Sequence, residues 1–326
     1  MNQNTQTPYA TLNPNTILDA IESIGFLCTG SLYALNSYEN RVYQIGIEDS
    51  EPLIAKFYRP HRWSSEAILE EHQFSLELAE QEIPVIAPLI VNDQTLHHHQ
   101  DFRFAVFPRR GGHALELDND EQLEWMGRFI GRMHSVSASQ AFQHRISLNI
   151  QSYGFEPYRF LMEQDFIPDY LISNFCKIVE TALEKIAQIF EWVGDLDQIR
   201  LHGDCHAANI LWRDSGPHIV DLDDCLMGPA MQDIWMLLSG EPKQMELQLE
   251  KILNGYYEFQ DFNLRERHLI EVLRTLRMLH YSGWLAKRWD DPAFPLSFPW
   301  FNTPVYWENM MRNLNEQIDL LDQIEC

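Results

Sequence analysis

The chain has 326 residues, with 24 Lys and Arg against 48 Asp and Glu, for a formal charge of −24. Its length suggests about two domains or one two-lobed enzyme, and 45% hydrophobic and 12% aromatic residues supply a large core, which excludes disorder as the main state. So large an acid excess argues against nucleic acid or an anionic membrane as a ligand, since both need clustered Lys and Arg. A small anionic ligand held together with a metal ion stays open.

Residues 1–16 are polar and uncharged, lacking the basic and apolar regions of a signal peptide, and no run approaches the ~18 apolar residues of a transmembrane helix. The five cysteines (Cys28, Cys176, Cys205, Cys225, Cys326) are odd in number and scattered, which fits reduced thiols in the cytoplasm. A cytoplasmic monomer is expected.

The first 107 residues read as strand-rich around one helix. Residues 31–36, 40–47, 52–58 and 102–107 carry β-branched and aromatic side chains between turn signals. The helix should run from an N-cap at Ser64 to Gln81, with Pro84 ending it. His97, His98 and His99 with Gln100 read as a loop. Pro108-Arg109-Arg110-Gly111-Gly112 is the sharpest punctuation in the chain, and it predicts a hinge at 108–112. Helical patterns dominate beyond it, at about 119–136, 170–193, 230–239, 244–260, 264–288 and 304–324. A small β-rich lobe, 1–107, therefore precedes a larger helical lobe, 113–326, with a ligand cleft expected between them.

The densest chemistry lies in His202-Gly203-Asp204-Cys205-His206-Ala207-Ala208-Asn209, followed by a turn and the strand His218-Ile219-Val220-Asp221. Phosphoryl transfer needs one carboxylate to take or orient the proton of the attacking hydroxyl, while an Asn and a second Asp hold Mg²⁺ against the phosphates. Asp204 and Asn209 have the spacing of the kinase catalytic loop, and the strand–turn–strand would return Asp221 beside Asn209. A carboxylate closing an Ile-Val strand is costly to bury alone, so a cation is its natural partner. Asp223 and Asp224 read as capping or solvent-facing residues, with Asp223 able to approach the metal indirectly. A zinc reading of His202 and His206 with Cys205 is weaker, because Gly203 interrupts any helix that would align them; His202 reads as a scaffold residue.

These motifs resemble the kinases of the aminoglycoside phosphotransferase and choline kinase type, whose catalytic loop begins His-Gly-Asp. In particular, Asn36-Ser37-Tyr38-Glu39-Asn40-Arg41, Lys56-Phe57-Tyr58-Arg59-Pro60, Glu70-Glu71-His72-Gln73-Phe74 and Asp291-Pro292-Ala293-Phe294-Pro295 are similar to a bacterial stress-response branch of that group. The resemblance implies a two-lobed, protein-kinase-like α+β fold. It also implies ATP and Mg²⁺ as cofactors, Ser/Thr hydroxyls of proteins as acceptors, this chain's own included, and a stress-response role. On it, Asp204 matches the proton acceptor, Asn209 a magnesium ligand, Asp221 a metal ligand and active-site residue, and Ser37 a position associated with ATP.

Strand alternation puts Ile54, Lys56 and Tyr58 on one face, and a kinase needs a lysine there for the α/β-phosphates. Its carboxylate partner should lie on the following helix. Glu71 shares a face with Ala67, Phe74 and Leu78, whereas Glu70 sits with Glu66, Gln73 and Glu77, so Glu71 is preferred. The alternative leaves Glu71 solvated at the edge of the stripe. No glycine-rich phosphate loop is present; Ser37 and the neighbouring Asn side chains would supply donors, with Arg41 a weaker candidate. Asp233 resembles the buried carboxylate that ties the central helix to the catalytic loop in kinase-like folds, the alternative being simple compensation of the helix dipole. Arg274, Arg277, His280, Trp284 and Arg288 recur at helical spacing and could face the acceptor or a phosphate, but a solvated basic stripe is the preferred reading. Two rival functions share these residues: a kinase for a small alcohol or amine, to which the acidic pairs Asp223-Asp224 and Asp290-Asp291 are suited if it is cationic, and a non-catalytic scaffold.

Overall fold

The structure is a computed structural model that describes residues 8–214 and 216–324. Cys326 and residues 1–7, on which the free-thiol and leader readings partly rest, lie outside the described residues. The four described cysteines are free thiols.

Ten residues that the strand-rich reading passed over form the first helix, α1 (Pro14–Ser23). Asn13 caps it by accepting from the Asn15 and Thr16 amides, and Pro14 occupies the first turn, where no amide hydrogen is needed. Ile17, Ala20 and Ile21 then fall on one face and pack with Ile45, Phe57 and Phe104 of the sheet.

That sheet holds β1 (Cys28–Ala34), β2 (Arg41–Ile47), β3 (Leu53–Phe57), β4 (His97–His99) and β5 (Phe102–Pro108), in the antiparallel order β1-β2-β3-β5-β4. The histidine tract is thus an edge strand rather than a loop. Its composition is polar, but the free edge of β5 pairs with it, and alternation turns His97 inward, its ring 5.5 Å from that of Phe104. Lys56 sits on the central β3, opposite Val42 and Ala105. Helix α2 (Ser65–Glu80) is capped by Ser64, whose hydroxyl oxygen accepts from the Ala67 amide.

The rest is mainly helical: α3 (Asp120–Ser137), α4 (Glu156–Met162), α5 (Asp169–Val193), α6 (Met231–Trp235), α7 (Pro242–Tyr256), α8 (Ile270–Ala286), α9 (Ala293–Ser297) and α10 (Pro304–Leu321). A π-helical turn, Gln151–Phe155, leads into α4. Between α5 and α6 lie short strands, β7 (Ile199–Leu201), the hairpin β8 (Ile210–Arg213) and β9 (Gly216–Ile219), and β10 (Leu226–Gly228) pairing β7; β6 (His113–Ala114), just after the 108–112 segment, pairs β8. Helices α3 and α7 cross in near backbone contact: a Cβ on Gly127 would stand 1.9 Å from the Ile252 oxygen, so only glycine fits. One large apolar core joins α3, α5, α7, α8 and α10, and Phe74 and Leu78 of α2 belong to it. The helix carrying Glu71 is therefore anchored in the helical core while it touches the sheet.

Candidate active site

The segment read as the catalytic loop is held from below. Asp233, fully buried at the start of α6, accepts from the His202 and Gly203 amides at 2.8 Å each, and lies 3.2 Å from His134 Nε2. Gly203 adopts φ +82°, and a Cβ there would fall 2.3 Å from the Asp224 oxygen, so glycine is required on both counts. His202 turns its Nε2 to the Val220 oxygen at 2.9 Å, joining the loop to the segment that leads from β9 into Asp221. The Val220 amide donates to the Asn209 oxygen at 3.0 Å, which brings Asp221 beside Asn209. Asp221 itself is left-handed, φ 63° and ψ 62°, a conformation that costs a non-glycine residue about 1–3 kcal/mol and is tolerated best by Asp and Asn.

Lys56 Nζ is buried and stands 3.2 Å from Glu71 Oε1, 3.2 Å from Asp221 Oδ1 and 3.0 Å from Asp223 Oδ1. Burial alone would push its pKa down, but Asp223, Glu71 and Asp221 hold the ammonium well above the ordinary lysine value. Arg145 grips the other side of Glu71, Nη2 to Oε2 at 3.1 Å, so the glutamate is fixed between two cations. Glu70 points elsewhere and accepts from the Gln143 and His144 amides.

Asp223 departs from expectation. It is buried, not solvent-facing, and its carboxylate pairs with Lys56 and Arg62; burial pushes its pKa up, yet Arg62, Lys56 and Arg145 outweigh that and hold it well below the usual range. Asp224 also pairs with Arg62.

A cavity of about 360 Å³ gathers Ser37, Lys56, Glu71, Asn209 and Asp221, with apolar walls from Leu35, Val42, Ile54, Leu211 and Leu222. Phe107, Pro108 and Arg110 border it at the segment read as a hinge. Its size lies within the usual range for small-molecule sites. Asp204 is not in this wall; it lies just beyond, linked through Asn209, whose Nδ2 donates to the Asp204 oxygen at 3.0 Å. Asn36 and Ser37 line the cavity, whereas Asn40 accepts from the Arg59 amide and Arg41 lies over the Tyr9 ring. Those last two are not free to hold phosphate.

The basic stripe of α8 is not solvated as a whole. Arg274 pairs with Glu271, but Arg277 Nη2 donates to Asp204 Oδ1 at 2.6 Å, with His206 Nε2 3.3 Å from the other oxygen. Burial raises the Asp204 pKa, and the His206 hydrogen bond and the Arg277 charge overcome it, so the carboxyl is held well below the usual range. His280 stacks on Tyr153, while Trp284 and Arg288 reach Glu39 in the 36–41 loop. Spacing alone could not separate a site-facing arginine from a solvated one; the partner, Asp204, is 73 residues away in sequence.

Residues 33–280 match the phosphotransferase enzyme family. The chain belongs to that family. This phosphotransferase is 46% identical over 320 residues to stress response kinase A of Escherichia coli K12, across 98% of this chain and 97% of that protein. It is 45% identical over 323 residues to serine/threonine protein kinase RdoA of Salmonella typhimurium, across 99% and 97% of the two. Among solved structures, an amicoumacin kinase in complex with AMP-PNP and Ca²⁺ superposes with a TM-score of 0.74 at 18% identity, over 95% of this chain and 93% of that one. A spectinomycin phosphotransferase in complex with ADP gives 0.65 at 14% identity, over 97% and 100%. At such identities the likeness is one of fold, and it is the α+β, kinase-like fold expected: a β-sheet lobe followed by a helical one. As a phosphotransferase, the chain is a kinase.

Proposed function

We propose that the chain is an ATP- and Mg²⁺-dependent kinase that transfers the γ-phosphate to Ser and Thr hydroxyls of proteins, itself included, in the cytoplasm and in a stress response. The observation that carries this reading is the buried Lys56 between Glu71 and Asp221, in one cavity with Ser37 and Asn209, with Asp204 at its border. In this reading residues 1–107 bind nucleotide, 108–112 form the hinge, and 113–326 carry the catalytic loop and acceptor side.

Lys56 binds the α/β-phosphates, and Glu71, itself held by Arg145, keeps it in place. The apolar walls exclude water from the adenine end, and Ser37 offers a hydroxyl to the phosphates. Asp221 and Asn209 fit a magnesium ion: the Asp221 carboxylate is 55% exposed, and Asn209 Oδ1 has no protein partner among the described residues once Nδ2 is spent on Asp204. Few protein oxygens together with phosphate oxygens are what magnesium prefers. Bound there, the ion supplies charge neutralisation at the transferring phosphoryl group. Asp204, with its pKa held low by His206 and Arg277 against burial, is a weak base. Its part is to orient the acceptor hydroxyl and take its proton late, as suits a loose transition state.

A protein acceptor is supported by the near full-length likeness to proteins named stress response kinase A and serine/threonine protein kinase RdoA. A cationic metabolite loses support at three of the four acids suited to it, which are already paired: Asp223 with Lys56 and Arg62, Asp224 with Arg62, and Asp291 with Arg59 at 2.8 Å. A scaffold has no use for the complete set of Lys56, Asp204, Asn209 and Asp221. Asp204→Ala should abolish transfer from labelled ATP to the protein itself and to a generic protein substrate, with ATP binding and a cooperative unfolding transition retained, and chelation of divalent ions should also abolish transfer. Activity surviving within tenfold would remove Asp204 from its role. Turnover of one small alcohol with no protein phosphorylation would replace the protein acceptor.

A further inference from the structure

A second, smaller cavity of about 180 Å³ is walled by Arg62, Trp63, Tyr153, Trp284, Lys287 and Arg288. Three cations line it, and two of them are spent: Arg62 pairs with Asp223 and Asp224, and Arg288 with Glu39, which leaves Lys287, among the described residues, as the cation whose charge is free. Lys287 has no carboxylate within ion-pair distance among the described residues; it lies 5.6 Å over the Phe160 ring instead.

Several hydrogen-bonding groups here are also unspent. The Trp63 indole N–H has no partner among the described residues. Tyr153 is only 5% exposed, and neither its hydroxyl nor the ring nitrogens of His280, stacked on it at 4.0 Å, bond to any described residue. Burial and the nearby Arg277, Lys287 and Arg288 push His280 down to about 3, so the ring is neutral and can donate one hydrogen bond. The Lys287 ammonium and the Trp63 indole can only donate, and both are unspent among the described residues, whereas the Trp284 indole and Arg288 already serve Glu39. With the Tyr153 hydroxyl and His280 beside them, these donors suit an acceptor-only, negatively charged group, and the volume suits one side chain rather than a whole sugar-sized substrate.

Resting on the protein-kinase reading, we propose that this cavity recognises an acidic or phosphorylated side chain of the substrate protein near the Ser or Thr that is phosphorylated. Helix α8 sets the spacing. Arg277 marks Asp204, and Trp284 to Lys287 lie about 10–15 Å further along the helix, which an extended peptide covers in about three to five residues. The local charge also works as a filter. In a chain of net charge −24, acidic substrates are repelled at long range, so only one that reaches Lys287 gains from its charge.

The test is a positional scan of Ser/Thr peptides with Asp, phosphoserine, Lys or Ala at each position from five before to five after the acceptor. An acid at about three to five positions on one side should raise kcat/KM about tenfold over alanine. Lys287→Glu should reverse the ranking so that Lys is preferred, and Lys287→Arg should restore the preference for acids. Phosphorylation of all peptides without such a preference overturns the cavity's role and leaves the kinase reading intact. If no peptide is phosphorylated, the protein-kinase reading falls, and the cavity is judged by thermal shift with AMP-PNP and Mg²⁺ saturating. A stabilisation by phosphoserine over serine that Lys287→Glu removes upholds an anion site, and its absence overturns it.

Discussion

Replacing Arg277 with methionine isolates what its charge does to Asp204. The pair meets at 2.6 Å, with Asp204 22% and Arg277 32% exposed. A hydrogen bond between charged groups contributes about 1.5–3 kcal/mol, and partial exposure moves the figure to the low end, about 1.5 kcal/mol. One pKa unit corresponds to ~1.4 kcal/mol, so Asp204 should rise by about one unit in Arg277→Met. The wild-type carboxyl is depressed, so its stabilising effect is present above its unfolded pKa and is lost as pH falls through the folded one. Arg277→Met should therefore cost about 1.5 kcal/mol in urea unfolding at pH 7, and the deficit should shrink below about pH 4. If Asp204 must be ionised for transfer, the acid limb of kcat/KM should move up by about one unit, with wild type measured alongside so that titration of ATP cancels. An unmoved acid limb, or a deficit independent of pH, would refute the claim that Arg277 acts through the charge of Asp204.

Asp233→Ala strips the catalytic loop of two amide acceptors in a fully buried place, and should cost about 3–5 kcal/mol in urea unfolding; a loss under 1 kcal/mol would show the loop to be held otherwise. Gly203→Ala meets both a left-handed backbone and the Asp224 oxygen, for about 2–4 kcal/mol and a fall in kcat; unchanged stability would contradict the close approach. Burial pushes the Glu266 carboxyl up to about 7. Because the folded pKa is raised, the associated stability is full below the unfolded value of ~4.3 and is lost as pH rises to about 7, up to ~3 kcal/mol. Glu266→Gln should thus gain on wild type between pH 5 and 8, and parallel stability curves would refute the shift.

The local elements of the site were written plainly in the chain. Ser64 and Pro84 bracket α2, alternation puts Lys56 on a strand face, and the Asp204–Asn209 spacing with the returning strand brings Asp221 alongside. Helix α1 was equally legible, in Asn13 as cap, Pro14 in the first turn and Ile17, Ala20 and Ile21 on one face, but the strand-rich surroundings masked it. The histidine tract was not: nothing in three polar residues says that the edge of β5 is free to pair with them.

Sequence by itself determined the class of chemistry, because each motif needs only a short span of backbone and a fixed residue spacing. Tertiary structure decided which charges are spent and which are free. Asp223 and Asp224 look like a solvated acidic pair until Arg62 folds over them, and Arg277 looks like surface until α8 lays it on Asp204. Ion pairs such as Arg59 with Asp291, 232 residues apart, leave no periodicity to read. An electrostatic partner is chosen by distance in space, which the chain's order does not encode locally.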